Sequence, residues 1–296
     1  MTHVLFKTVD VFTSVPFKGN PVAVVLDAGH LSSDQMQQIA RWTNLSETTF
    51  IVPTTHAGAD YHVRIFTPGA ELPFAGHPTI GTAHALLEAG MIQAKDGALV
   101  QQCAAGLIQL RIRHEADASR WISFELPKAE LSALDSNATG ELEAILGMPL
   151  DVERPPYLVD VGPRWVVVQL PAAESVLELR PDLQRMKIQD TKGGHTGVVV
   201  FGKHAAGAYP TIEVRAFAPA HGINEDPVCG SGNGCVAAYI RHTGQTAQFG
   251  SAIVATQGAV VGRAGVLQLT ISAHAIQVGG QAITCVSGEL INSQCR

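Results

Sequence analysis

Three side chains that can give or take a proton stand beside glycine-containing segments of this sequence. Glu47 comes at an expected strand start with apolar neighbours, His77 directly follows Gly76, and Asp226 stands shortly before Gly230. Apolar surroundings disfavour the charged form of a carboxylate, which suits a group that must release and recover a proton near neutral pH. Glu47 is therefore the first candidate for a general acid-base, and His77 and Asp226 are the candidates to assist it.

The residue types alone leave a structural alternative open for each of these side chains. Glu47 also fits a surface carboxylate that flanks a strand. His77 is expected to be neutral, because a helix N-terminus disfavours a cation, and it also fits a packing or capping residue. Asp226 also fits an acceptor that caps the glycine loop.

Two apolar runs open with a glycine and a small polar or titratable residue, namely Gly76-His77 and Gly230-Ser231. Both runs are apolar on all sides, which predicts buried helices that begin within two residues of Thr79 and Asn233. A helix N-terminus presents unpaired N–H groups and partial positive charge, and glycine lets a ligand approach them closely. The two ends are therefore predicted to bind a carboxylate and an adjacent developing enolate. In the simpler alternative, the glycines only cap buried helices.

A diverged internal duplication relates the two halves of the sequence. Residues 63–68 (Val-Arg-Ile-Phe-Thr-Pro) recur as 214–219 (Val-Arg-Ala-Phe-Ala-Pro), and residues 105–112 recur as 264–271. The two glycine-led runs fall between these blocks in the same order. The duplication predicts two similar α/β domains that face each other, with the ligand site in the cleft between them.

The coarse pattern within each half supports strands around one buried helix. We assign residues 1–127 to the first domain, which also recruits a strand from 284–294, and residues 128–296 to the second. Ser32 and Gln35 have capping-box spacing and predict a further helix. Alternating or continuous apolar runs predict strands over 4–12, 20–26, 48–52, 61–66, 107–112, 121–126, 163–170, 196–201, 211–217, 266–271 and 282–286.

Composition excludes several classes of function. The net charge of −6 provides no basic stripe for a nucleic-acid backbone, and no apolar stretch reaches the length of about 18 residues that a membrane span needs. The five cysteines include no C-x-x-C pair, so neither a disulfide framework nor a metal site is predicted. The segment 230–234 lacks the glycine spacing of a dinucleotide site. We expect a cytoplasmic protein without a tightly bound cofactor.

The motifs together resemble the phenazine-biosynthesis PhzF-like family over nearly the whole chain. The matching segments are 10–12, 19–24, 45–48, 66–68, 71–79, 225–228 and 230–232. The resemblance implies the diaminopimelate-epimerase fold: two pseudo-symmetric α/β domains, each a mostly antiparallel sheet wrapped around a central helix. It also implies a homodimer and a cofactor-independent isomerase acting on a small carboxylate-bearing amino or hydroxy acid. Glu47 then shuttles the proton, and His77, Asp226 and Ser231 assist.

Cys229 departs from the usual pattern of the PhzF-like isomerases and leaves two further functions open. Related racemases use two cysteines, one before each helix-opening glycine, and Ala75 occupies the first of these positions here. One alternative is therefore an amino-acid racemase or epimerase with Glu47 and Cys229 as unlike acid-base partners. Outside catalysis, the alternative is a small-molecule binding protein that has lost turnover.

Overall fold

The computed structural model of the protein describes residues 2–115, 119–205 and 207–292. The chain folds into two compact units. The first comprises Met1–Glu125 and Gly279–Arg296, and the second comprises Leu126–Val278. The chain therefore leaves the first unit after residue 125 and returns to it at residue 279.

The described chain contains the following strands and α-helices. The strands are β1 (Thr2–Val11), β2 (Asn20–Val25), β3 (Glu47–Val52), β4 (Tyr61–Phe66), β5 (Glu71–Leu72), β6 (Ala98–Cys103), β7 (Gly106–His114), β8 (Arg120–Glu125), β9 (Glu130–Ala133), β10 (Tyr157–Asp160), β11 (Arg164–Gln169), β12 (Gly197–Lys203), β13 (Ile212–Ala218), β14 (Ile223–Asp226), β15 (Ala252–Gln257), β16 (Gly265–Ile271), β17 (Ile276–Gly280) and β18 (Ala282–Asn292). The α-helices are α1 (Ser33–Thr43), α2 (Gly76–Glu88), α3 (Ser136–Leu146), α4 (Ala173–Glu178), α5 (Leu183–Gly193), α6 (Gly230–His242) and α7 (Thr246–Phe249).

The sheet of the first unit combines antiparallel and parallel pairs. β1 lies between β2 and β18 and is antiparallel to both. β2 is parallel to β3, β3 is antiparallel to β4, and β4 is parallel to β6. β7 is antiparallel to β6 and to β8. The short strand β5 pairs with β4 and leads directly into α2.

The second unit repeats this plan. β11 is parallel to β12, β12 is antiparallel to β13, β13 is parallel to β15, and β15 is antiparallel to β16. This is the same sequence of pairings as in β2, β3, β4, β6 and β7. The short strand β14 pairs with β13 and leads into α6, as β5 leads into α2. The duplication in the sequence is thus visible as a repeated topology.

Burial explains why the central helices carry no polar stripe. Every residue of α2 from Gly76 to Leu86 is buried, and so is every residue of α6 from Gly232 to Ile240. Strands β12 and β13 are buried along almost their whole length. The sequence of β12 is apolar up to its last residue, whereas β13 also contains the buried charged residues Glu213 and Arg215. The prediction of two buried helices is confirmed.

The predicted starting points of these helices are wrong. α2 begins at Gly76 and α6 at Gly230, each three residues before the predicted starts at Thr79 and Asn233. Glycine and proline disfavour a helix interior, but the N–H groups of the first turn have no acceptor within the helix. Gly76 and Pro78 therefore fit the first turn of α2, and each glycine is the first helical residue.

The predicted capping box fixes the start of α1, the helix that precedes β3. Ser32 Oγ accepts a hydrogen bond from the Gln35 backbone N–H at 3.3 Å, and Gln35 Oε1 accepts from the Ser32 N–H at 2.9 Å. At the other end of α1, Asn44 adopts the left-handed conformation with φ of 54°. That residue turns the chain out of α1 and toward Glu47, the first residue of β3.

Candidate active site

Glu47 and His77 meet in the first unit. Glu47 begins β3, and its backbone lies opposite Val22 in the parallel ladder with β2. His77 is the second residue of α2. The two side chains are 15% and 8% exposed, and Glu47 Oε2 lies 3.3 Å from His77 Nε2. The structure thus brings together the first-choice acid-base and one of its predicted assistants.

Burial keeps the His77 imidazole neutral. Desolvation lowers its pKa from the ordinary 6.5 to about 3, and a hydrogen bond with the Pro21 backbone opposes this only in part. The contact with Glu47 is therefore between a carboxyl group and a neutral imidazole, rather than a full ion pair, at any pH above about 4. A neutral imidazole can hold a neighbouring carboxyl group in place without fixing its charge.

The N-terminus of α2 has no side-chain cap. Its N-cap residue, Ala75, has extended backbone and no polar side chain, so the N–H groups of Gly76 and His77 stand at the positive end of the helix dipole. Gly76 is also required by packing, because a Cβ atom there would lie 2.6 Å from Cζ of Phe124. Packing against Phe124 therefore accounts for a glycine at this position.

The N-terminus of α6 is organised by Cys229 and Ser231. Cys229 is the N-cap residue, and its Sγ accepts a hydrogen bond from the Gly232 N–H at 3.3 Å. Ser231 Oγ accepts from the indole N–H of Trp165 at 3.0 Å. The N–H groups of Gly230 and Ser231 begin the helix and remain suited to an anion.

Burial raises the pKa values of the two titratable groups at this end, Asp226 and Cys229. Desolvation raises the pKa of Asp226 to about 6, while hydrogen bonds from the Val228 backbone and from Cys229 lower it. Burial and the neighbouring charge of Asp226 raise the pKa of Cys229 well above its ordinary range. At neutral pH Cys229 is a thiol rather than a thiolate, and Asp226 titrates close to the working range of an acid-base group.

Asn233 and Gln257 hold the backbone that carries these residues. Asn233 Nδ2 donates to the Cys229 carbonyl at 2.9 Å and to Gln257 Oε1 at 2.8 Å. Gln257 Oε1 also accepts from the Cys229 N–H at 3.1 Å, and Gln257 Nε2 donates to the Asp226 carbonyl at 2.9 Å. The turn between β14 and α6 is therefore tied at two carbonyls and one N–H group.

The second unit has no carboxylate at the position that is equivalent to Glu47. Glu47 precedes Thr48, which lies opposite Phe66 in β4, and Gly197 precedes Val198, which lies opposite Phe217 in β13. Phe66 and Phe217 are equivalent in the duplication, so Gly197 is the counterpart of Glu47. A Cβ atom at Gly197 would lie 1.9 Å from the Phe217 carbonyl oxygen, which leaves no room for a side chain. The carboxylate at this position belongs to the first unit alone.

The predicted site residues fall into one group in each unit. Glu47, Gly76 and His77 lie together in the first, and Asp226, Cys229, Gly230 and Ser231 lie together in the second. Trp165, Asn233 and Gln257 are functional candidates that were not predicted from the sequence. Of these three, only Asn233 could have been identified from the sequence, because it is a polar residue within an apolar helical run. Trp165 and Gln257 are distant in sequence and are brought to α6 by β11 and β15.

Neither a metal cluster nor a membrane helix is found in the parts of the chain that the structure describes. Within residues 2–115, 119–205 and 207–292, no three His, Cys, Asp or Glu side chains are grouped so as to hold a metal ion. Within those same ranges, every helix is too short or too polar to cross a bilayer.

Comparisons with known proteins agree on one family. The family profile described as phenazine biosynthesis-like protein matches residues 9–288. Antisense-enhancing sequence 1 of Schizosaccharomyces pombe is 44% identical over 297 residues, covering 98% of this chain and 99% of that protein. Trans-2,3-dihydro-3-hydroxyanthranilate isomerase of Pseudomonas fluorescens is 34% identical and covers 97% of this chain and 99% of its own.

A solved structure shows the same fold. The crystal structure of the Bacillus anthracis phenazine biosynthesis protein of the PhzF family has a TM-score of 0.84 at 24% identity, covering 99% of this chain and 100% of that chain. The predicted fold class is confirmed. Together with the profile match over residues 9–288 and relatives named as isomerases, this shows that the chain belongs to the phenazine biosynthesis-like protein family and is one of its isomerases.

Proposed function

We propose that the protein is a cofactor-independent isomerase that moves a proton between carbon atoms of a small acid, at a carbon near its carboxylate. The observation that carries this proposal is the 3.3 Å contact between Glu47 and the neutral His77 at the N-terminus of α2. A carboxyl group in that position can accept and return a proton, and the neighbouring imidazole maintains the orientation of this carboxyl group. The name of the Pseudomonas fluorescens relative supports a cyclic amino-hydroxy acid as the first substrate to test.

The reaction that we propose has two proton transfers and no change of oxidation state. The Glu47 carboxylate removes a proton from one substrate carbon, so that a C–H bond breaks and an O–H bond forms. The electron pair spreads toward the substrate carboxylate as an enolate. Glu47 then returns the proton to a second carbon of the conjugated system, and the double bond shifts.

The negative charge needs fixed dipoles, and the helix N-termini provide them. In the proposal, the N–H groups of Gly230 and Ser231 at the start of α6 bind the substrate carboxylate, and Trp165 orients the Ser231 hydroxyl. Asp226, with a pKa of about 6, exchanges protons with a polar group of the substrate.

Two other functions remain testable alternatives. A racemase that uses Glu47 and Cys229 as opposed acid-base partners would need Cys229 to act as a thiolate in one direction, and its raised pKa opposes that. A binding protein without turnover would keep the same anion-binding helix ends. Proton exchange with solvent separates these alternatives.

The decisive experiment measures deuterium incorporation in heavy water. Wild-type protein and Glu47→Gln are incubated with trans-2,3-dihydro-3-hydroxyanthranilate and with a panel of linear and cyclic amino and hydroxy acids. We expect a substrate that changes double-bond position and gains solvent deuterium with the wild type only. Deuterium gain with inversion at one carbon and no bond shift would favour the racemase, and binding without any exchange would favour the binding protein.

A further inference from the structure

A short sequence element precedes both central helices and is not explained by proton transfer. Residues 71–76 (Glu-Leu-Pro-Phe-Ala-Gly) and 225–230 (Glu-Asp-Pro-Val-Cys-Gly) share the pattern Glu-x-Pro-x-x-Gly. In both, the glycine is the first residue of the helix and the glutamate lies on the short strand before it. Each segment thus links one glutamate to one anion-binding helix end.

An arginine holds each of these glutamates in the same two-pronged geometry. Arg64 Nε and Nη2 donate to the two carboxylate oxygens of Glu71 at 2.7 and 2.6 Å. Arg215 Nε and Nη2 donate to those of Glu225 at 2.9 and 2.8 Å. Arg64 and Arg215 occupy equivalent positions in the duplicated strands β4 and β13. We refer to these two bidentate pairs as the Arg–Glu forks.

Neighbouring groups fix both guanidinium groups. Cζ of Arg64 lies 5.1 Å from the ring centre of Phe66, and Cζ of Arg215 lies 4.9 Å from that of Phe217. Arg215 Nη1 also donates to the carbonyl oxygens at residues 176 and 179, at 3.0 and 2.8 Å. Groups other than the paired glutamate therefore also orient each arginine.

Stability alone is a weak explanation for two partly buried ion pairs. Desolvation of both charges offsets most of the attraction, and the best-attested use of such pairs is to fix one arrangement of the chain. The backbone ladders beside the forks are short. β5 pairs with β4 at two positions, and β14 pairs with β13 at two positions interrupted by an irregularity. The forks therefore supply the side-chain link that these ladders lack.

We propose that Arg64–Glu71 and Arg215–Glu225 are positioning pairs that fix the first turns of α2 and α6 for the reaction. This inference rests on the proposed function, because it assigns the forks a role in placing the N–H groups that bind the substrate anion. Neither arginine touches the reacting atoms. A small displacement of a helix end reduces the rate because the positions of its N–H groups set the stabilisation of the developing charge.

The Arg–Glu fork in the first unit is the less buried of the two and gives the clearest test. Arg64→Gln removes one fork, and the matched control is Arg185→Gln, which removes another bidentate pair, Arg185–Glu141 at 2.5 and 2.7 Å between α5 and α3. Amide hydrogen exchange is followed by mass spectrometry without any substrate. We expect exchange over residues 72–78 to rise about tenfold in Arg64→Gln and to stay at the wild-type rate in Arg185→Gln. Equal exchange over 72–78 in Arg64→Gln and wild type would overturn the proposal.

The second arm uses the fork in the second unit and the reaction itself. Arg215 is buried, so Arg215→Lys keeps its charge and loses the bidentate geometry. We expect faster exchange over residues 226–232 only, and a fall in kcat of about tenfold in Arg64→Gln and Arg215→Lys with KM within about threefold. Normal kcat in both fork variants would overturn the positioning role. An inactive wild type would contradict the proposed function and would leave the exchange experiment intact.

Discussion

Glu47 Oε2 lies 3.3 Å from His77 Nε2, and burial lowers the pKa of that imidazole to about 3. A carboxylate beside a cationic imidazole would be held in its charged form by the ion pair. Beside a neutral imidazole it has a polar neighbour but no opposing charge. Both side chains are largely buried. This pairing fits a carboxyl group that must accept a proton from carbon and release one again.

Replacing Glu47 tests that role directly. Glu47→Gln keeps the size and the hydrogen-bonding capacity of the side chain but removes the group that titrates. A positioned general acid-base contributes about 10²- to 10⁴-fold in rate, so we expect kcat to fall by that range with little change in substrate affinity. Steady-state kinetics and calorimetric binding measure the two quantities.

The matched control is Glu174→Gln, which makes the same chemical change at an exposed position in α4. We expect this variant to retain wild-type kinetics. A Glu47→Gln enzyme with normal turnover would reject the proposed proton carrier, whatever its affinity for substrate.

Cys229→Ser separates the isomerase from the racemase. Cys229 caps α6 through its contact with the Gly232 N–H, and a serine hydroxyl is at least as good an N-cap acceptor. A hydroxyl is far too weak an acid to replace a thiol in proton transfer to carbon. We expect Cys229→Ser to keep most of the isomerase activity and a melting temperature close to that of the wild type. Loss of turnover comparable to that in Glu47→Gln, in a folded protein, would favour the racemase.

The lowered pKa of His77 predicts how the stability of the protein depends on pH. Its pKa is about 3 in the folded protein and about 6.5 in the unfolded chain, so the unfolded chain binds the extra proton between these values. The free energy of unfolding therefore falls as pH drops through 6.5 toward 3, by a few kcal/mol from this residue. The contribution of His77 is fully present only above about pH 6.5.

Urea unfolding of His77→Gln at pH 7.5 and 4.5 measures this contribution. We expect the difference in unfolding free energy between wild type and variant to shift in favour of the variant at the lower pH. His274→Gln, at an exposed position, serves as the control for replacing one histidine by glutamine. A His77 ring that titrates near pH 6.5 by NMR would contradict the predicted burial effect.

Much of the fold was predictable because its signals are local. The capping box at Ser32 and Gln35 predicts the start of α1, and the strand predicted over 61–66 coincides with β4. Helices α3 and α5 escaped prediction because their exposed faces are polar and only a few side chains, such as Leu142 and Met186, are buried. Asp135 and Asp182 are the N-caps of these helices, and an aspartate at such a position indicates a helix start, but the prediction rested on apolar periodicity instead.

The candidate site was predictable only in part. Glycine-led helix starts and nearby titratable residues are contiguous in sequence, so Gly76 with His77 and Gly230 with Ser231 could be found. The contact of His77 with Glu47 spans two elements, and the contact of Ser231 with Trp165 joins residues 66 positions apart. Such contacts depend on strand register, which the sequence pattern alone does not fix.

Asn233 is predicted to be essential to the turn that carries Cys229. Its amide nitrogen donates to the Cys229 carbonyl and to Gln257 Oε1, and the residue is fully buried. Asn233→Asp keeps the shape but replaces the donor by an acceptor that faces two other acceptors. We expect a loss of about 3 kcal/mol in unfolding free energy, because buried acceptors are left unsatisfied. Asn137→Asp, at an exposed position in α3, should lose almost nothing, and equal melting temperatures for the two variants would contradict the assignment.

Asp226 and His77 change the free energy of unfolding with pH in opposite directions, and the two effects can be separated. Burial raises the pKa of Asp226 to about 6 from an unfolded value of 3.8, so the folded protein holds the proton more tightly between these values. Stability from this group is present below about pH 4 and is lost as pH rises through 6. The loss amounts to at most about 3 kcal/mol, and less to the extent that water reaches this half-buried side chain.

Asp226→Asn removes the titration and keeps an acceptor for the Val228 N–H. We therefore expect the variant to gain stability relative to wild type between pH 4 and 7, while the contribution of His77 cancels in the comparison. Asp27→Asn, at an exposed position, provides the control for removal of one charge. Urea unfolding at pH 4, 5.5 and 7 measures the difference, and a gap between variant and wild type that does not widen with pH would refute the raised pKa of Asp226.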